Sequence, residues 1–248
     1  MSKVEFYRDV LRGLKDWDEY LLKESGLPGP RGNIELGKAV AEEGNEPLFK
    51  RYLEYTADEA PVNSSYEFLA FCGIMGMGRL LADGRHDVLT IIREHASDPR
   101  WRMREGVAMA LQRWGEIDMQ GLIHEMRKWS RGNEFEKRAA VAALCEPKLL
   151  KETDNVIQVF LILDDITAWV TFSHDRKSEG FIALRKALGY CWSVAVAADP
   201  GEGKHAIEKW FFADDPDVVW IMKENLSKSR LARMDAAWVE KWKPRYNK

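Results

Sequence analysis

The sequence predicts an all-α protein, an α-α superhelix of about 12 helices stacked in pairs, and three observations predict it. First, a phrase that opens a helix recurs. It reads Asp98-Pro99-Arg100-Trp101-Arg102-Met103-Arg104-Glu105, then Asn133-Glu134-Phe135-Glu136-Lys137-Arg138, then Asp215-Pro216-Asp217-Val218-Val219-Trp220. Asp or Asn at such a position accepts a hydrogen bond from the free N–H groups of a new helix. Pro fits the first turn, where its missing N–H would be unpaired anyway. Second, Arg104 and Arg138 are 34 residues apart, and each precedes small apolar residues (Val107, Ala108 and Ala110; Ala139 to Ala143) that let helices approach closely. A period of roughly 30–50 residues built of helix pairs is the mark of an α-solenoid. Third, alternation of apolar and polar residues never survives more than four positions, so no strand is expected.

Each helix has its own local signal. Residues 3–23 carry Val4, Phe6, Tyr7, Val10, Leu11, Leu14, Trp17 and Leu21 at three- and four-residue spacing, which predicts one amphipathic helix. Gly26 to Gly32 (Gly-Leu-Pro-Gly-Pro-Arg-Gly) cannot be helical. Asn33 caps a helix to about Glu43, and Glu46 to Ala57 forms the next. Ser64 with Glu67 three residues later reads as a capping box for the helix through Leu81. Arg85 to His95 follows. Helices are then expected at about 98–114, 118–130, 134–145, 153–172, 178–197, 200–211 and 215–226, with Asp118 and Thr153 as caps, and a last segment near 233–242. Residues 175–180 are the longest expected turn. No composition break marks a domain boundary, so residues 1–248 are expected to form a single domain with its clearest repeats at 98–226.

Hydrophobic residues make up 46% and charged residues 31%, the balance of a globular protein with a sizeable core. Met1 to Asp9 is polar and mixed in charge, unlike a leader peptide. The longest apolar runs, such as Phe68 to Met77, are about ten residues, short for a membrane span. Three scattered cysteines, Cys72, Cys145 and Cys191, do not make a disulfide framework and suit a reducing compartment. A cytoplasmic protein with no membrane association is the expectation. Net charge is −3, with 12 basic and 17 acidic residues in 1–97 and 25 basic and 23 acidic in 98–248. A phosphate-bearing partner would therefore prefer the second part, although a dedicated nucleic-acid binder is usually more basic.

Several site types are absent from the pattern. The five histidines and three cysteines never fall at metal-ligand spacing, so neither metal nor cofactor is expected. Gly73, Gly76 and Gly78 lie inside an apolar helix and suit close packing rather than a phosphate loop. Ser64, Ser65 and Ser193 have no local base. Most of the ten tryptophans fall at helix-packing positions. Trp101 is different, set among Arg100, Arg102 and Arg104, because aromatics interleaved with cations make stacking platforms for nucleic acid. Lys137 and Lys186 join these arginines as candidate backbone contacts. Trp101 and Glu105 share a helix face, as do Lys186 and Tyr190. Stacked repeats bring equivalent positions into register, so Trp101, Glu105, Arg138, Lys186 and Tyr190 are expected to line one cleft. The alternative is an ion pair of Glu105 with Arg102 or Arg138 in an inter-repeat ladder.

Over roughly residues 95–225 the chain resembles the HEAT-like, armadillo-like DNA alkylation repair glycosylases. Three short blocks carry the resemblance: Met126-Arg127-Lys128-Trp129 with Asn133 to Ala140, Lys186-Ala187-Leu188-Gly189-Tyr190, and Asp215 to Trp220. The resemblance implies excision of cationic alkylated purines. Trp101 then matches the family's first aromatic, Glu105 its catalytic carboxylate, Arg138 its backbone-contacting arginine and Tyr190 its second tryptophan. A carboxylate and aromatic faces would stabilise the cation that forms as the glycosidic bond breaks, and basic groups would hold phosphates. Glu stands where that family has Asp, and Tyr where it has Trp. Two functions follow. One is a HEAT-like binding or scaffold protein without catalysis, taking duplex DNA or a protein partner on a concave face. The other is an alkylpurine DNA glycosylase acting through Glu105.

Overall fold

The computed structural model describes residues 1–246, and every regular element among them is helical: fifteen α-helices and four short 3-10 segments. The chain divides into two compact units, Met1–Ile117 and Asp118–Lys248. The division leaves no mark on composition and falls in a three-residue turn between two helices.

The first unit holds α1 (Lys3–Gly13), α2 (Asp18–Glu24), α3 (Ile34–Glu43), α4 (Glu46–Leu53), α5 (Ser65–Ala82), α6 (Leu89–Glu94) and α7 (Trp101–Gly115). α5 is the hub, buried on nearly every side and packed on α2, α3, α4 and α7. A helix that is apolar all round belongs inside, and Phe68, Leu69, Ile74, Met77 and Leu81 are fully or almost fully buried. The glycines inside α5 serve close approach, as their sequence setting suggested. A Cβ on Gly78 would lie 2.5 Å from Cα of Ala110 on α7.

The second unit holds α8 (Met119–Trp129), α9 (Glu134–Leu144), α10 (Thr153–Phe172), α11 (Glu179–Ala198), α12 (Pro200–Glu208), α13 (Pro216–Leu226), α14 (Ser229–Met234) and α15 (Ala236–Trp242). Here α11 is the hub, packed on α9, α10, α12, α13 and α14. Its Trp192 is fully buried and donates its indole N–H to Thr167 Oγ1 at 2.9 Å. Buried Asn225 of α13 accepts from the Ser193 amide and donates to the Leu188 carbonyl, both at 2.8 Å. In both units alternate helices meet: α1, α3, α5 and α7 in the first, α9, α11 and α13 in the second.

Two of the thirteen helical stretches read from the sequence each resolve into two helices, giving fifteen. Residues 3–23 divide into α1 and α2 where the chain folds back and the Trp17 indole donates to the Leu11 carbonyl at 2.9 Å. The last segment divides at Asp235, which caps α15. Asn33, Asn45, Asp118, Asn133, Ser178, Asp199 and Asp215 cap their helices through side-chain bonds. Asp98 and Thr153 do not. α7 starts at Trp101, and Asp98 holds Arg100 instead; α10 starts at Thr153 itself. α10 and α11 are apolar on average over a greater length than any uninterrupted apolar run. Each has 20 residues and mean hydropathy of 1.4 and 1.3, enough to cross a bilayer by length and composition, and each buries about half of that length inside the unit. All three cysteines are buried and free, and burial pushes the Cys72 and Cys145 thiols well above their ordinary pKa.

Two measurements check this architecture. Gly78→Val should destabilise by about 1–3 kcal/mol in urea unfolding, because the new side chain collides with the α7 backbone. Stability should also fall on acidification from about pH 5 to pH 3. Hydrogen bonds from Arg51 and Tyr52 outweigh burial and hold Asp18 below its ordinary pKa, and Arg12 and Arg8 do the same for Glu43. Their stabilisation is present above the unfolded-state pKa and is lost as pH falls through the folded value.

Candidate recognition cleft in the first unit

The basic phrase Arg100-Trp101-Arg102-Met103-Arg104 splits into one exposed aromatic and three buried cations. Arg100, Arg102 and Arg104 are only 2%, 5% and 7% exposed, whereas Trp101 is 44% exposed. A buried guanidinium must find acceptors for its fork of donors, and each of these finds at least two, although Arg102 Nε keeps none. Arg100 makes a two-pronged ion pair with Asp98 and donates to the carbonyl of Tyr55 at 2.9 Å. Arg104 donates to the carbonyls of Asp98 and Pro99 at 2.7 and 3.0 Å. These donors are spent on the protein itself, so the sequence expectation of phosphate contacts from Arg100, Arg102 and Arg104 does not fit their placement.

Arg102 does the most structural work. Its guanidinium lies 4.4 Å from the centroid of the Trp101 ring and ion-pairs with fully buried Glu67 at 3.0 Å. It also donates to the Gly29 carbonyl at 2.8 Å and to Asn63 Oδ1 at 3.2 Å. Glu67 Oε2 accepts from the Asn63 amide at 2.7 Å. Asn63 has φ +69° and its side chain accepts from the Gly29 amide at 3.1 Å. The Gly26 to Gly32 loop, in which Gly26 adopts φ +74°, is thereby tied to the turn before α5 and to the first turn of α7. The capping box read at Ser64 is half formed: Ser64 accepts from the Glu67 amide, but Arg102 and Asn63 draw the Glu67 carboxylate away.

A cleft of about 370 Å³ opens beside this knot, lined by Pro30, Arg31, Gly32, Ile34, Phe68, Phe71, Trp101, Arg102 and Glu105. Glu105 is half-buried on the same face of α7 as Trp101. It pairs with no cation and accepts no hydrogen bond among the described residues, because Arg102 has gone to Glu67. Arg31 sits at the rim, its guanidinium 3.9 Å from Glu35. With Arg102 matched by Glu67 and Arg31 near Glu35, the Glu105 carboxylate is the charge left over. An unmatched carboxylate beside an exposed indole attracts a cation through both charge and ring quadrupole.

The remaining sequence candidates lie in the second unit. Arg138 is half-buried on α9 and engaged in contacts. Lys137 is buried, donates to the Gly132 carbonyl and stands 4.5 Å from the Trp169 centroid. Burial outweighs Glu134 and Glu136 and lowers its pKa. Lys186 and Tyr190 are exposed on α11. The Tyr190 hydroxyl accepts from Arg230 at 2.8 Å, and that guanidinium covers one ring face at 4.5 Å. Trp101, Glu105 and Arg102 therefore come together within the first unit, and Lys186 and Tyr190 within the second. Arg31, Gly32, Phe68, Phe71 and Glu67 were not singled out as site residues. The one available signal was Glu67 itself, an acid directly before an apolar run in a helix with a glycine-proline loop upstream.

Among the described residues no three His, Cys, Asp or Glu side chains gather as a metal site would require. Comparison with protein-family models, with characterised proteins and with solved structures finds no match to this chain. What the geometry defines is thus a class: an all-helical protein with a small, mostly apolar cleft carrying one uncompensated carboxylate.

Arg102→Met should cost about 3–5 kcal/mol in chemical denaturation by leaving Glu67 charged and buried without its partner. The double variant Glu67→Met/Arg102→Met should recover much of that loss.

Proposed function

We propose that this protein is a helical binding protein of the HEAT-like repeat kind, without catalysis, and that its recognition site is the Trp101–Glu105 cleft. The unpartnered carboxylate of Glu105 beside exposed Trp101 carries the reading. A charge held half-buried without a partner is unfavourable in the free protein, and a ligand cation would relieve it. The meeting of alternate helices within each unit supports the repeat reading, because stacked helix pairs bury a shared core and leave one face for partners. The cleft holds no nucleophile paired with a base, which favours binding over covalent chemistry.

A second reading is favoured by the same carboxylate. In a DNA glycosylase Glu105 would face the sugar as the base departs, with Trp101 against the developing cation. The burial of Arg100, Arg102 and Arg104 weighs against it, since those cations are withdrawn from any phosphate. Under the first reading a partner surface with exposed cationic groups meets the cleft, and duplex DNA is a poor ligand.

Binding of the purified protein to a fluorescent duplex of 20–30 base pairs, at low and moderate salt, separates the two. The binding reading expects weak association and no release of base from alkylated DNA. Affinity that falls steeply with salt, together with base release that Glu105→Gln abolishes, would replace it with the glycosylase.

A further inference from the structure

We infer that the cleft beside Trp101 is a site for a small zwitterion, an α-amino acid with an apolar or aromatic side chain. The inference rests on the reading of this cleft as the recognition site and adds the chemical class of its ligand. Three features of the wall carry it.

The first is a separation of charge inside one cavity. Glu105 contributes a carboxylate that no cation neutralises among the described residues. Arg31, from the glycine-proline loop, contributes a largely exposed guanidinium that only loosely approaches Glu35. Opposite charges on two different segments, α7 and the loop, with no ion pair between them among the described residues, match a molecule that carries both. An ammonium group would take the Glu105 end and a carboxylate the Arg31 end, each through a charge-assisted hydrogen bond.

The second is an orphaned donor in the same wall. Arg102 is almost fully buried, yet its Nε–H has no hydrogen-bond partner. A buried unpaired donor is costly and calls for an explanation. This nitrogen lies behind Gly32, 4.0 Å from where a Cβ on that glycine would stand. Any larger residue at position 32 would fill the space in front of it. Arg31 and Gly32 are neighbours in the loop, so this unused N–H lies beside the Arg31 end of the cleft.

The third is the apolar lining that shares the cleft with these charges. Phe68 and Phe71 stack with centroids 6.1 Å apart, and exposed Trp101 lines the same cleft. An ammonium next to an aromatic face gains further attraction, and an apolar side chain is desolvated against the same rings. The volume of about 370 Å³ sits at the small end of ligand sites, about 300–1,000 Å³, as suits a single amino acid rather than a nucleotide.

The test is calorimetric titration of the full chain with L-phenylalanine, 2-phenylethylamine and 3-phenylpropionate, three probes that differ in which charge they carry. Saturable binding of L-phenylalanine is expected, with each single-charge analogue at least about tenfold weaker. Glu105→Gln should weaken L-phenylalanine and 2-phenylethylamine by about tenfold while leaving 3-phenylpropionate unchanged; Arg31→Gln should weaken L-phenylalanine and 3-phenylpropionate by about tenfold while leaving 2-phenylethylamine unchanged. Absence of saturable L-phenylalanine binding, or an analogue that binds as tightly as L-phenylalanine, overturns the inference without relying on any variant. A chain that takes none of the three probes yet binds a macromolecule in a Trp101-dependent way overturns the zwitterion and leaves the cleft as recognition site. A chain that binds L-phenylalanine with undiminished affinity after both Trp101→Ala and Glu105→Gln overturns both.

Discussion

The ion pair between Arg102 and Glu67 is the constraint on which the first unit turns. Glu67 is fully buried and Arg102 almost so, so each needs the other to remain charged, and removing two ions from solvent is repaid only when geometry and further hydrogen bonds are good. Those further bonds are what organise the chain. The guanidinium holds the Gly29 carbonyl and the Asn63 side chain, and the carboxylate holds the Asn63 amide. A loop, a turn and two helix starts thus meet at one point. The pair also frees Glu105: Arg102, one turn before it on its own helix, is committed elsewhere.

That commitment explains why the fold was more legible than the site. Caps and apolar periodicity are local properties, readable one helix at a time, and Asn33, Asp118, Asn133 and Asp215 do what their types suggest. So do the glycines of α5, whose lack of a side chain permits α7 to approach at Ala110. The failures are tertiary. Asp98 is a good cap by type, but Arg100 two residues on captures it. Glu67 is a good capping-box acid, but Arg102, 35 residues away, captures it too. Nothing within a few residues distinguishes a solvated arginine from a buried one, so the run Arg100, Arg102, Arg104 read as an open basic face.

Trp101 and Glu105 were found in the sequence for a reason that holds: four residues apart on a helix, they share a face. Their cleft was not found, because its opposite wall comes from the Gly26–Gly32 loop. In isolation that segment looks like a spacer. Only when Asn63 and Arg102 fasten it does it become a wall, with Gly32 leaving room where a side chain would close it. The second unit shows the same economy around α11, where Asn225 ties two helices through paired backbone contacts and Trp192 fills the centre.

The burial of every cysteine has a practical consequence. A thiol reacts as its thiolate, and here burial both hides the sulfur and suppresses that form for Cys72 and Cys145. The folded chain is therefore silent toward alkylating reagents, and labelling becomes a clock for opening. Because Cys72 belongs to the first unit and Cys145 and Cys191 to the second, mass spectrometry of the labelled peptides would time the two units separately within one unmodified molecule.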